Sequence, residues 1–192
     1  MSYSICVFCA SSDGIAAEYF ALAKELGEEI GRRGHSLVYG GGQVGLMGAV
    51  ARSVRAVGGA VVGVIPQRLD WAEVVYREAD EMIYTQTMRE RKATMEQRAD
   101  AFIVLPGGIG TLEEALEVIT LRHLGYHRKP IVLLDGHGYY EPLLQMLERA
   151  VAGGFARASL RETYHVAETV QDALDYIESH LARPRPGPQP IP

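Results

Sequence analysis

An open, doubly wound α/β sheet of Rossmann type, a three-layer sandwich in one domain, is the fold this sequence predicts, on three observations. Short β-rich apolar runs alternate with longer segments of helical spacing. Several of the runs are apolar throughout, as strands covered on both faces are. Three loops that follow strands are rich in glycine or serine, as ligand-binding loops at the carboxyl edge of such a sheet are.

Taken in order, the expected strands are residues 4–8, 36–39, 60–65, 81–84, 101–105, 131–134 and 164–167. The expected helices are 16–33, 45–57, 87–98, 111–124, 139–152 and 170–181, each with apolar positions recurring at helical intervals. Strand and helix in alternation imply a mostly parallel sheet, because a parallel crossover needs a covering segment and is right-handed. Residues 1–182 form one domain, since 192 residues with 47% hydrophobic side chains suffice for one continuous core. Residues 183–192, R-P-R-P-G-P-Q-P-I-P, have little to bury and are expected to be a disordered tail.

A formal charge of -5, with basic residues scattered rather than striped, argues against nucleic acid as a partner. No basic leader precedes a long apolar run and no segment is long enough for a bilayer, so the expected location is cytoplasmic. Cys6 and Cys9 lie three apart in a strand and point to opposite faces, which suits buried apolar thiols better than a shared metal or a disulfide.

The loop Gly40-Gly41-Gly42-Gln43-Val44-Gly45 matches G-x-G-x-x-G, but it follows the second strand and no acidic residue stands where ribose hydroxyls would be held. A nicotinamide or flavin cofactor is therefore disfavoured, leaving a different nucleotide site or a tight turn. The loop Pro106-Gly107-Gly108-Ile109-Gly110 leads into a helix expected to begin at Thr111, whose free N–H groups and hydroxyl would suit a phosphate. Thr111-Leu112-Glu113-Glu114 also reads as a capping box, so the local pattern leaves Glu114 open between cap and catalyst.

In M-R-E-R-K-A-T-M, residues 88–95, Arg91 and Lys92 are phosphate- or carboxylate-binding candidates, although a solvated basic face is the favoured unaided reading. Met88 and Met95, seven apart, are expected to share a face packed into the core. His123 and His127 lack the glutamate of H-E-x-x-H, and no metal site is expected. Neither a Walker-type loop nor G-x-S-x-G is present.

Together these segments resemble the Lonely Guy family of cytokinin riboside 5′-monophosphate phosphoribohydrolases, through C-V-F-C-A-S-S, G-G-G-Q-V-G-L-M-G, P-G-G-I-G-T-L-E-E, L-G-Y-H-R-K-P-I and G-Y-Y-E-P-L-L. The resemblance implies that Arg91 and Glu114 are the catalytic pair. It implies a nucleotide site lined by Ser12, Gly42, Lys92, Gly107, Gly108, Gly110, Thr111, Glu113 and Thr120, with no cofactor and no metal. The expected substrate is an AMP-like nucleotide, plain or N6-prenylated, cut to free base and ribose 5-phosphate. A homodimer is also implied, with part of the surface of the helix at 111–124 used between subunits. Two positions depart from the family pattern: Arg89 stands where His is usual, and Leu69 where plant members carry a substrate-binding Glu.

On this reading Glu114 stabilises the oxocarbenium-like ribose and acts as general base, while Arg91 binds substrate and, as a neighbouring positive charge, keeps Glu114 ionised. The old family label of lysine decarboxylase finds no support, since the sequence carries no pyridoxal phosphate signature. The main rival is a non-catalytic nucleotide or molybdenum cofactor carrier on the same fold; an oxidoreductase is a third.

Overall fold

The computed structural model describes residues 1–70 and 74–183. All but the first residue of the expected tail therefore falls outside the described residues. Seven strands, β1 (Ser4–Phe8), β2 (Ser36–Tyr39), β3 (Ala60–Pro66), β4 (Glu81–Thr85), β5 (Ala101–Val104), β6 (Ile131–Leu134) and β7 (His165–Ala167), form one sheet in the order β4-β3-β2-β1-β5-β6-β7. Every pairing is parallel. The helices are α1 (Ala17–Arg32), α2 (Gly45–Ala56), α3 (Met88–Arg98), α4 (Ile109–His123), α5 (Glu141–Ala152) and α6 (Val170–Leu181). The predicted fold class holds, and most element ends fall within one or two residues of expectation.

Because the central strands are covered on both sides, successive residues feed two separate cores. Ile5, Val7, Leu37, Ile103 and Val132 pack against α1, α2 and α6, through residues such as Leu26, Val50 and Leu174. Cys6, Phe8, Val38, Phe102 and Leu133 pack against α3, α4 and α5, through Met95, Val118 and Leu144. Cys6 and Cys9 fall in opposite cores as free, buried thiols, as their spacing requires. Burial pushes both thiols well above the ordinary range.

The chain steps from β1 outward to the edge strand β4, then returns to the centre at β5. Helix α3 makes that return across β4, β3, β2 and β1, with Arg91 near its start held to Val64 of β3. The order reverses between β1 and β5, so the crevice beyond their carboxyl ends is the place where such a sheet binds ligands.

Candidate active site

At this switch point lies a cavity of about 620 Å³. The loop after β1 contributes Ser11 and Ser12, the loop after β2 Gly40 and Gly42, α3 Arg91, and α4 with its leading loop Gly108, Gly110, Thr111, Glu113 and Glu114. A second concavity, about 360 Å³, sits between α1 and the loops after β6 and β7; Glu18, Glu25 and Glu168 line it and would repel a phosphate.

The two glycine loops differ in what their helix mouths offer. At α2 the mouth is occupied: Gly45 N–H donates to Asp13 Oδ1 (2.9 Å) and Met47 N–H to the Ala10 carbonyl (3.3 Å). Gly45 has a φ of 63°, and a Cβ there would fall 2.5 Å from Ser12 N, so this glycine seats the β1 loop against α2. Of the readings left open for G-x-G-x-x-G, close packing therefore accounts for Gly45.

At α4 the mouth is open. The helix begins at Ile109, two residues before expectation, with Gly108 as its N-cap and no side-chain cap. Its hydrogen-bond ladder starts with Leu112 N–H to the Gly108 carbonyl, so the N–H groups of the preceding turn have no carbonyl within the helix. A Cβ at Gly108 or Gly110 would meet nothing within 4 Å: both border free space. Gly107 is different, because a Cβ there would come within 2.1 Å of Thr111 Oγ1. It lies beneath the loop, and its bare Cα leaves room for the buried Thr111 hydroxyl.

This start removes the capping-box reading, since Thr111 is the third helical residue rather than the cap. A side-chain cap lies on α3 instead, where Thr87 Oγ1 accepts from Glu90 N–H (3.1 Å) and Glu90 Oε2 reaches back to Gln86 N–H, one residue before the cap (2.7 Å). T-x-x-E at 87–90 was the missed signal.

Glu114 is 6% exposed and accepts a hydrogen bond from Arg91 Nη1 at 3.0 Å. Arg91 is equally buried, and its Nε donates to the Val64 carbonyl of β3 at 3.1 Å. The solvated-face reading of Arg91 is thus overturned: α3 crosses the sheet, and this position faces inward. Gly40 makes the space, since a Cβ there would lie 2.0 Å from Arg91 Nη2.

Arg91 does not keep the Glu114 carboxyl below its ordinary range, as expected from charge alone. Burial raises its pKa and outweighs the lowering by the guanidinium, with Glu113 adding a further upward push.

Two expected binding residues stand apart from the cavity lining, and the Met88 expectation is corrected. Lys92 does not line the cavity; its ammonium pairs with Glu113 and with Glu117 Oε2, at 2.7 Å for the latter. Burial lowers the Lys92 pKa, but these two carboxylates more than offset it. Thr120 is exposed and outside the cavity; it lies six residues, about 9 Å of helix, beyond Glu114. Met88 does not join Met95 in the core: Met95 is buried, whereas Met88 is 49% exposed at the cavity wall. Seven residues return to the same angle but one end has passed the edge of the sheet.

The apolar side chains of Val44, Met47, Ile65, Leu69, Val74 and Met88, from segments other than α4, also line the cavity. Leu69, one of the two departures from the family pattern, therefore stands in the cavity. His127 accepts no metal-like environment: its Nε2 meets the Val118 carbonyl at 3.0 Å, and burial pushes its pKa down to about 4. No group of three His, Cys, Asp or Glu placed to hold a metal ion occurs among the described residues. No helix among them is long and apolar enough to cross a membrane.

Comparison with known proteins shows the family and the fold. A family model described as "Possible lysine decarboxylase" matches residues 47–177. A probable cytokinin riboside 5′-monophosphate phosphoribohydrolase of Oryza sativa subsp. japonica is 46% identical, over 94% of this chain and 73% of its own. A cytokinin riboside 5′-monophosphate phosphoribohydrolase of Mycobacterium tuberculosis is 46% identical, over 90% of this chain and 91% of its own. Among solved structures, the molybdenum cofactor carrier protein of Chlamydomonas superposes with a TM-score of 0.72 over 95% of this chain and 99% of its own, at 23% identity. That last likeness is one of fold.

Proposed function

As the chain belongs to the Lonely Guy family of cytokinin riboside 5′-monophosphate phosphoribohydrolases, we propose that it hydrolyses the N-glycosidic bond of an AMP-like nucleotide, plain or N6-prenylated, to free base and ribose 5-phosphate. The observation that carries this reading is the buried Arg91–Glu114 pair, 3.0 Å apart in the same cavity as an open helix mouth. A phosphate carrier needs the mouth but has no use for a buried carboxylate beside it.

The phosphate sits at the N-terminus of α4, against the Gly108–Gly110 backbone, where unpaired N–H groups and the helix dipole favour an anion. Anchoring the phosphate fixes the ribose near Glu114, one turn further along α4. As the bond from C1′ to the base nitrogen breaks, positive charge grows on the ribose ring and the Glu114 carboxylate stabilises it. Water adds to C1′, giving its proton to Glu114, and the base leaves with the bonding electrons and takes up a proton.

Arg91, fixed at Nε by the Val64 carbonyl, orients the carboxylate and supplies a positive charge toward the substrate. Ser12, Gly42 and Glu113 complete the cavity lining, whereas Lys92 acts by holding α4 through Glu113 and Glu117. Lys92 is the lysine of α3, and its engagement with two carboxylates gives no support to a decarboxylase reading.

The apolar lining with Leu69 is the natural place for the base and any prenyl group. The proposal extends to a cytoplasmic homodimer using part of α4 and its C-cap, where Leu116 and Leu124 are 38% and 56% exposed.

The deciding experiment incubates the protein with AMP and with N6-isopentenyl-AMP and measures released base. Wild type should release base, and Glu114→Gln should lose about 100- to 10,000-fold in rate while still binding nucleotide. Full activity in Glu114→Gln sinks the hydrolase reading; tight nucleotide binding by wild type with no base release favours the carrier.

A further inference from the structure

The loop that leads into α4 owes its shape to groups outside the cavity. Four consecutive carbonyls, those of residues 105–108, are all engaged. Tyr140 Oη donates to the Leu105 carbonyl (2.7 Å), Ala10 N–H to that of Pro106 (3.2 Å), Tyr139 Oη to that of Gly107 (2.7 Å), and Leu112 N–H to that of Gly108 (3.0 Å). Two of these four donors are the phenols of adjacent residues, Tyr139 and Tyr140, in G-Y-Y-E.

An anion site made of backbone N–H groups is spoiled by any carbonyl that turns toward it, because the carbonyl oxygen carries negative partial charge. Three glycines within residues 107–110 leave the peptide planes free to turn. We infer that Tyr139 and Tyr140 are positioning residues for phosphate binding: by holding the carbonyls on either side of Pro106, they keep the loop turned with its N–H groups toward the cavity. The inference rests on the hydrolase reading only in taking the anion to be the phosphate of the substrate.

The two phenols are themselves anchored. Tyr140 is 1% exposed, its N–H donates to Asp135 Oδ1 (3.0 Å), and burial raises its phenol pKa, so it remains a protonated donor. Tyr139 meets Tyr140 edge to face at 5.1 Å and Tyr19 of α1 at 5.9 Å, which fixes the ring direction. Tyr139 is 40% exposed, so removal of its hydroxyl is compatible with folding.

The test uses the full chain as wild type, Tyr139→Phe and Tyr140→Phe. Calorimetry measures the Kd of inorganic phosphate and of N6-isopentenyladenosine, which lacks the phosphate, and steady-state assays measure KM and kcat for N6-isopentenyl-AMP. Each variant should bind inorganic phosphate about 3- to 10-fold more weakly, with an equal rise in KM, a smaller change in kcat and unchanged nucleoside binding. Unchanged phosphate affinity in Tyr139→Phe overturns the inference. So does an equal loss of nucleoside and phosphate affinity in that variant, which would make the phenols general braces of the fold. Should wild type release no base, the hydrolase reading fails separately, while a tyrosine-dependent phosphate Kd still supports the inference.

Discussion

Replacing Gly40 by alanine adds one methyl group outside the chemistry and should disable it. A Cβ at this position would stand 2.0 Å from Arg91 Nη2 and 3.1 Å from its Cζ. Real Cβ contacts do not fall below 3.0 Å, so the guanidinium must retreat by at least about 1 Å. Its hydrogen bonds to Glu114 (3.0 Å) and Val64 (3.1 Å) cannot both survive such a shift. Overpacking of this kind costs about 1–3 kcal/mol of stability. A displacement of about 1 Å in a catalytic group costs on the order of 100-fold in rate, equivalent to about 2.7 kcal/mol in the barrier.

The assay is base release from N6-isopentenyl-AMP by Gly40→Ala, Arg91→Met and the double variant, with urea unfolding in parallel. The losses should not add: once Arg91 is methionine, the extra methyl has no guanidinium to displace, and Gly40→Ala should then change kcat/KM little. Wild-type activity in Gly40→Ala, or additive losses across the cycle, would refute the assignment of Gly40 as the space for Arg91.

Other consequences follow from the same geometry. Gly108→Ala places a methyl in open space, so stability should hold within about 0.5 kcal/mol while KM for the nucleotide rises; an unchanged KM would remove Gly108 from the phosphate site. If ionised Glu114 is the active form, its raised pKa puts the acid limb of kcat/KM above the ordinary carboxyl value of 4.5, with activity lost as pH falls through it. Arg91→Met should move that limb further upward, since the lowering influence is gone and burial remains; a downward shift would contradict the balance described. Base release should also be insensitive to EDTA, and inhibition that added magnesium or zinc reverses would show a metal requirement.

Much of this was legible in the chain itself. Short runs apolar throughout and helical patterning revealed the sheet and its helices, because each central strand is apolar on both sides and each outer helix on one. Helix α3 was the exception. In M-R-E-R-K-A-T-M the two methionines are too few to reveal which way Arg91 points, and its burial comes from the long return from β4 to β5. Strand order, which local pattern does not contain, decides it.

The same holds for the glycine loops. Their composition marks both as close approaches of backbone, but only packing distinguishes Gly45, pressed on Ser12, from Gly108, facing free space. Glu114 was ambiguous for another reason: T-L-E-E satisfies the capping pattern, and the helix escapes it by starting two residues early on glycine. The tyrosines of G-Y-Y-E left no trace in local pattern, since their partners are carbonyls more than thirty residues away.

The Arg91 guanidinium touches β3 through Val64 and α4 through Glu114, and it fits only against Gly40 after β2. These pieces lie on both sides of the point where the strand order reverses, and they are brought together only when β5 docks beside β1. Catalytic competence should consequently be among the last properties gained on refolding. A chain that has closed only its first four strands would hold helices and a partial core, yet could not waste nucleotide; the return of base release in a refolding experiment times the docking of the two halves.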